Sequence, residues 1–165
     1  MPPNAPAEPD PRAAQGPKAP GLQVTLGLET GHLTHWELNT ILKALPVDIT
    51  FVDENDRVRY YSDTPERIFP RSPGVIGRKV QNCHPPKSVD VVERILKSFR
   101  SGEKDVAEFW LELRGKFIHI RYFALRDGSG AYKGTLEVSQ DATGIRALSG
   151  QRRLLDWDRG GSGEV

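Results

Sequence analysis

Three consecutive segments near the end of the chain restrict what it can become. Residues 105–114, 116–126 and 132–140 each alternate apolar and polar side chains. Only the turn Arg114-Gly115-Lys116 and the loop Asp127-Gly128-Ser129-Gly130 separate them. A period of two marks half-buried strands, and connections this short leave no length for a crossover, so neighbouring strands must run antiparallel. One face of the first strand carries Ala107, Phe109, Leu111 and Leu113. The second offers Ile118, Ile120 and Tyr122 against Phe117, His119, Arg121 and Phe123.

Two further strands are predicted upstream, over 48–52 and 57–62, joined by the polar turn Asp53-Glu54-Asn55-Asp56. Between them and the meander lies a loop-rich stretch, 64–86, with short helical turns expected over 66–69. A helix follows over 88–99, with Ser88 as its cap, the stripe Val89, Val92, Ile95, Leu96 and Phe99, and Gly102 at its C-terminal end. An earlier helix begins at Thr34, which pairs with Glu37 as a capping box while Leu33 can staple against Leu38. Leu38, Ile41, Leu42 and Leu45 form its stripe, and Pro46 ends it.

The domain plan is therefore a Pro/Ala-rich arm over 1–21, too poor in large apolar residues to offset its ordering entropy, then a flanking strand and helix over 22–45. The main α+β domain covers 46–142. A connector helix is expected over 143–157, started by Asp141 or Thr143, and a disordered tail over 158–165.

Composition narrows the function. The chain has 165 residues, 37% hydrophobic and 27% charged, with a formal net charge of +1 and no dense Lys/Arg block, so nothing points to nucleic acid. One cysteine, Cys83, allows neither an internal disulfide nor a thiolate cluster. No signal peptide and no apolar run of about 18 residues are seen, which predicts a cytoplasmic protein without a membrane partner. No Gly-rich phosphate loop follows a strand, and no nucleophile–base pair is suggested beyond the adjacent Cys83 and His84. The expectation is that the chain is not an enzyme.

A five-stranded antiparallel sheet with helices inserted between its second and third strands resembles a PAS domain. The exit Gln140-Asp141-Ala142-Thr143 resembles the junction by which PAS domains enter a signalling helix. The runs Leu45-Pro46-Val47-Asp48-Ile49-Thr50-Phe51-Val52-Asp53, Gly77-Arg78-Lys79-Val80-Gln81-Asn82-Cys83-His84-Pro85-Pro86-Lys87-Ser88-Val89 and Gly134-Thr135-Leu136-Glu137-Val138 are similar to PAS domains appended to hemerythrin-like domains in bacteria and archaea. The histidines His32, His35, His84 and His119 are scattered over different elements, so the di-iron chemistry of those longer relatives does not carry over. The resemblance implies a sensory or interaction module, expected as a homodimer that signals to a separate effector protein.

The stretch Asn82-Cys83-His84-Pro85-Pro86 combines a thiol and an imidazole where PAS domains line their cavity. One reading makes His84 or Cys83 a metal ligand or axial to a haem iron. The other is structural, with Cys83 packing as a small hydrophobe and His84 bonding the loop. No second haem ligand is apparent, and helix 88–99 contains no histidine. Asn82-Cys83 matches the pair of light-sensing PAS domains, but His84-Pro85-Pro86 stands where their flavin-binding groups belong. Flavin is therefore disfavoured.

In a PAS fold the inner sheet face is expected to hold Phe109, Leu111, Ile118, Ile120, Tyr122, Leu136 and Val138. These residues serve either as core or, with Tyr122 or Tyr61 as polar handle, as a small ligand cavity whose walls include Ile118 and Ile120. The outer face is expected to carry Trp110, Phe117, Phe123 and His119, with Arg121 between Glu108 and Glu137.

Overall fold

The computed structural model describes residues 24–65 and 67–152. The proposed arm over 1–21, position 66 of the expected helical turns, residues 153–157 of the connector and the tail lie outside the described residues. The chain divides into two compact units, which meet at Ala44 and Leu45.

The first unit holds β1 (Thr25–Leu28), β2 (Gly31–Thr34) and α1 (His35–Ala44). β1 and β2 form an antiparallel hairpin, with Leu26 opposite Leu33. The second strand of this hairpin escaped the sequence reading, because Gly31-His32-Leu33-Thr34 is too short to show alternation. The capping box forms as expected. The Glu37 carboxylate accepts from Thr34 N at 2.7 Å and Thr34 Oγ1 at 2.9 Å, while Glu37 N donates to Thr34 Oγ1 at 3.2 Å. These bonds, chiefly the one from the Thr34 backbone, hold the Glu37 carboxyl below its usual range.

The second unit contains β3 (Asp48–Asp53), β4 (Val58–Tyr61), α2 (Pro86–Ser101), β5 (Val106–Leu113), β6 (Lys116–Arg126), β7 (Tyr132–Asp141) and α3 (Thr143–Arg146). Single 3₁₀ turns occupy Pro73–Val75 and Val80–Cys83. The five strands form one sheet in the order β4-β3-β7-β6-β5, with every neighbour antiparallel. The last strand thus inserts beside the first, which puts β7 at the centre and makes β4 and β5 the edges.

Helix α2 lays the predicted stripe toward the core: Leu96 and Phe99 are buried and Val92 packs against the cluster Val52, Val58, Val80 and Leu96. Gly102, at φ 77°, closes the helix as its left-handed cap. The start differs from expectation. Pro86 occupies the first helical position, where its missing N–H costs nothing, so Ser88 lies inside the helix and its hydroxyl donates to Pro85 O at 3.0 Å.

Register overturns part of the face assignment. Tyr122 lies opposite Glu137 and Ile120 opposite Ser139, while Phe123 faces Leu136 and Arg121 faces Val138. The inner face of β7 is therefore Thr135, Glu137 and Ser139, all buried, and Leu136 and Val138 belong to the outer face. Glu137 cannot flank Arg121. Along a central strand both faces are partly covered, and alternation alone does not say which set points inward.

The connector helix is also shorter than expected. α3 spans Thr143–Arg146 only, and residues 147–152 are not helical. Its start is held by Asp141, whose Oδ1 accepts from Thr143 N at 3.0 Å and Thr143 Oγ1 at 2.6 Å. Gly150, at φ 64°, adopts a backbone conformation that does not continue a right-handed helix. Among the described residues no helix is long and apolar enough to cross a membrane.

Candidate functional site

Helix α2, the 3₁₀ turn Val80–Cys83 and the inner sheet face enclose a cavity. Its apolar walls are Val52, Val80, Val92, Ile95 and Leu96, and its polar wall is His84, Tyr122, Thr135 and Glu137. The space open to the centre of a water-sized sphere is about 20 Å³, room for a water or a group of a few atoms.

The polar wall is built by β6 and β7, with Tyr122 and Glu137 as direct cross-strand partners. Glu137 is only 9% exposed. Its Oε2 accepts from Arg71 Nη2 at 3.3 Å and its Oε1 from Ser139 Oγ at 3.4 Å. The Arg71 side chain is 10% exposed, and its Nε is buried with no hydrogen-bond partner. Burial, reinforced by the Glu137 charge and opposed by Arg71, pushes the Tyr122 phenol far above its ordinary range, so Tyr122 stays a neutral donor. Its ring stacks on Phe109 with centroids 5.8 Å apart.

A second arginine continues this polar corner along β3. Arg67 donates to Ser62 O at 2.5 Å, to Ser62 Oγ at 3.1 Å and to Thr50 Oγ1 at 2.9 Å, and lies 3.9 Å from Asp48. Asp48 in turn accepts from Ile68 N at 2.6 Å and Thr64 Oγ1 at 3.3 Å. Desolvation lowers the Arg67 pKa, opposed mainly by the Asp48 charge. The loop after β4 is thereby fastened to β3 by Arg67 and to β7 by Arg71.

Of the residues singled out in the sequence, the structure brings His84 and Tyr122 to the cavity. His84 Nδ1 is 2.9 Å from Val80 O. Cys83 packs against the apolar cluster, and its Sγ contacts Lys79 O at 3.6 Å. Ile118 and Ile120 are buried in the inner sheet face without lining the cavity. Tyr61 stands beside Arg67, whose guanidinium lies 5.4 Å from its ring centroid, and likewise does not line the cavity. The sequence reading missed Arg67, Arg71, Asp48 and Thr50 and misplaced Glu137. The signal it passed over was the polar set Thr135, Glu137 and Ser139 recurring at a period of two.

Neither haem nor flavin fits this cavity as built, since such ligands need several hundred Å³. Among the described residues no group of three or more His, Cys, Asp or Glu side chains gathers to hold a metal ion.

A twisted antiparallel sheet with its helices entering between the second and third domain strands, closed over a small cavity on one face, defines an α+β cavity module. Residues 38–143 match the family profile described as PAS domain, and the chain belongs to the PAS domain family. It is similar to the crystal structure of a C-terminal domain from Streptococcus mutans, at 36% identity and a TM-score of 0.72. That match covers 77% of this chain and 98% of that one. A sensory box sensor histidine kinase from Vibrio cholerae matches at 13% identity and a TM-score of 0.48, over 64% of this chain and 89% of that one. A PAS domain from Colwellia psychrerythraea matches at 14% identity and a TM-score of 0.48, over 66% and 97%. No curated protein matches significantly.

Proposed function

We propose that this PAS domain is a sensory module that binds a small ligand in the cavity and signals through protein–protein contact. The carrying observation is the placement of Glu137. It lines the cavity, it holds Arg71, and it lies on the same strand as Asp141, which starts α3. A ligand that changes the Arg71–Glu137 contact acts on β7 and, four residues further on, on the exit turn. Ligands shift such equilibria only through different affinity for the two states, and a buried ion pair with one member, Glu137, in the cavity wall supports this reading.

The module is proposed to work as a cytoplasmic homodimer that contacts a separate effector. Trp110 and Val106, 62% and 51% exposed on the edge strand β5, support a partner surface there. Kinship with the PAS domains of hemerythrin-like proteins is proposed on the three sequence runs quoted above. Haem ligation by His84 or Cys83 is not adopted, because α2 would have to leave the sheet to admit the ring.

A cofactor-free dimerisation scaffold is the second reading, favoured by the small size of the cavity. Protein purified from its native host separates the two. A small molecule released on denaturation, with a concentration-dependent rise in Tm when added back, supports the sensor. A colourless, metal-free and ligand-free dimer favours the scaffold, and a Soret band abolished by His84→Ala would restore haem.

A further inference from the structure

The two edges of the sheet are finished differently. β4 is four residues long, and the chain itself closes its free side. Val58 N donates to Arg78 O at 3.0 Å, Gly77 N donates to Val58 O at 2.8 Å, and Arg57 bridges to Lys79. β5 runs for eight residues in unshifted register with β6 and contains no proline, lysine or bulge. Asp105 O accepts from Ala124 N, so Asp105 and every second residue after it bond to β6. The N–H and C=O groups of Val106, Glu108, Trp110 and Glu112 therefore face the open edge, where no described residue bonds them. Such an edge is a template for another strand.

The side chains say which strand. Read outward from Glu108, the edge is self-complementary. Val106 and Trp110, 51% and 62% exposed, stand two residues to either side, and Lys104 and Glu112 four to either side. Lys104 and Glu112 are exposed, and neither has an ion pair among the described residues. Antiparallel pairing about a twofold axis at Glu108 sets Val106 against the partner's Trp110 and Lys104 against the partner's Glu112. An axis at Trp110 would instead set Glu108 against Glu112, and one at Phe109 would set Lys104 against Arg114, like charges twice in either case. The axis at Glu108 meets one like pair, and there each carboxylate already has its own His119 Nε2 at 2.7 Å.

We propose that a second copy of this chain adds its β5 antiparallel to β5, with the two Glu108 residues opposite each other, joining the two five-stranded sheets into one. The assignment rests on the homodimer reading and names its interface and register. Main-chain hydrogen bonds supply the attraction, and the side-chain pairs fix the register.

The test is cysteine cross-linking of the full chain with oxidised glutathione in a Cys83→Ala background, beside sedimentation velocity. Opposite residues of a hydrogen-bonded pair have Cα atoms about 5.5 Å apart, within reach of a disulfide. Glu108→Cys is therefore expected to give covalent dimer. Trp110→Cys is not, because this register separates the two copies of that position by about 13 Å along the strands. Lys104→Glu or Glu112→Lys alone should weaken the dimer about tenfold, and the two together should restore it to within a few-fold of the parent. Covalent dimer from Trp110→Cys overturns the register. No covalent dimer from Glu108→Cys, or no rescue by the charge exchange, overturns this edge as the interface, while a parent that sediments as a dimer leaves the homodimer reading standing. A monomeric parent overturns both.

Discussion

The Arg71 guanidinium lies 3.3 Å from the Glu137 carboxylate, joining two residues 66 positions apart in the chain. Their side chains are 10% and 12% exposed, so water does little to replace either partner. Breaking such a pair from one side strands a charge in the interior. Arg71→Leu or Glu137→Leu alone should cost about 3–5 kcal/mol, whereas the double substitution should cost less than the sum, with a coupling of about 0.5–3 kcal/mol. Urea denaturation of the four proteins measures this, and simple additivity would show that the contact carries no energy.

Gly134 is irreplaceable for a reason of close approach. At φ 149° it sits opposite Asp53, and an added Cβ would collide with Val52 O and come within 2.6 Å of Phe51 Cε2. Gly134→Ala should therefore lower stability by about 1–3 kcal/mol from backbone strain alone, with the clash adding to it. A melting temperature equal to that of the parent would contradict the geometry.

The exit turn predicts an acid dependence. Hydrogen bonds from the Thr143 hydroxyl and backbone, aided by Lys116, lower the Asp141 carboxyl to about 2. Because the folded value is depressed, the contribution is present above the unfolded value near 3.8 and is lost as pH falls toward 2. Asp141→Asn should flatten that part of the stability profile and speed amide exchange in α3. Profiles of identical steepness between pH 4 and 2 would count against the turn.

Core and surface apolar residues should respond differently. Phe99 is 0% exposed and Leu148 is 78% exposed. Phe99→Ala should cost about 3–5 kcal/mol and Leu148→Ala less than about 0.5 kcal/mol, as read from denaturant midpoints. Comparable losses at the two positions would show that Leu148 has a partner on another molecule.

The proposed partner surface makes the last expectation. Trp110→Glu places a charge on the exposed edge of β5 and should shift the protein to monomer in sedimentation velocity, with the fold's circular dichroism unchanged. An unchanged dimer would move the interface elsewhere.

Much of this molecule was legible in the chain. Period-two alternation and the tight turns at Gly115 and Gly130 dictate an antiparallel meander, because such connections permit nothing else. Thr34 and Glu37 announce a helix start, and Gly102 a helix end, since these are local hydrogen-bonding and backbone requirements. What remained hidden is non-local. Whether Leu136 and Val138 or Glu137 and Ser139 face inward depends on which partners await them. Only the folded loop brings Arg71 to Glu137, and only the fold places Tyr122 at its side. Alternation specifies that a strand has two faces; tertiary packing, by supplying buried counter-charges, decided that the polar one would be inside.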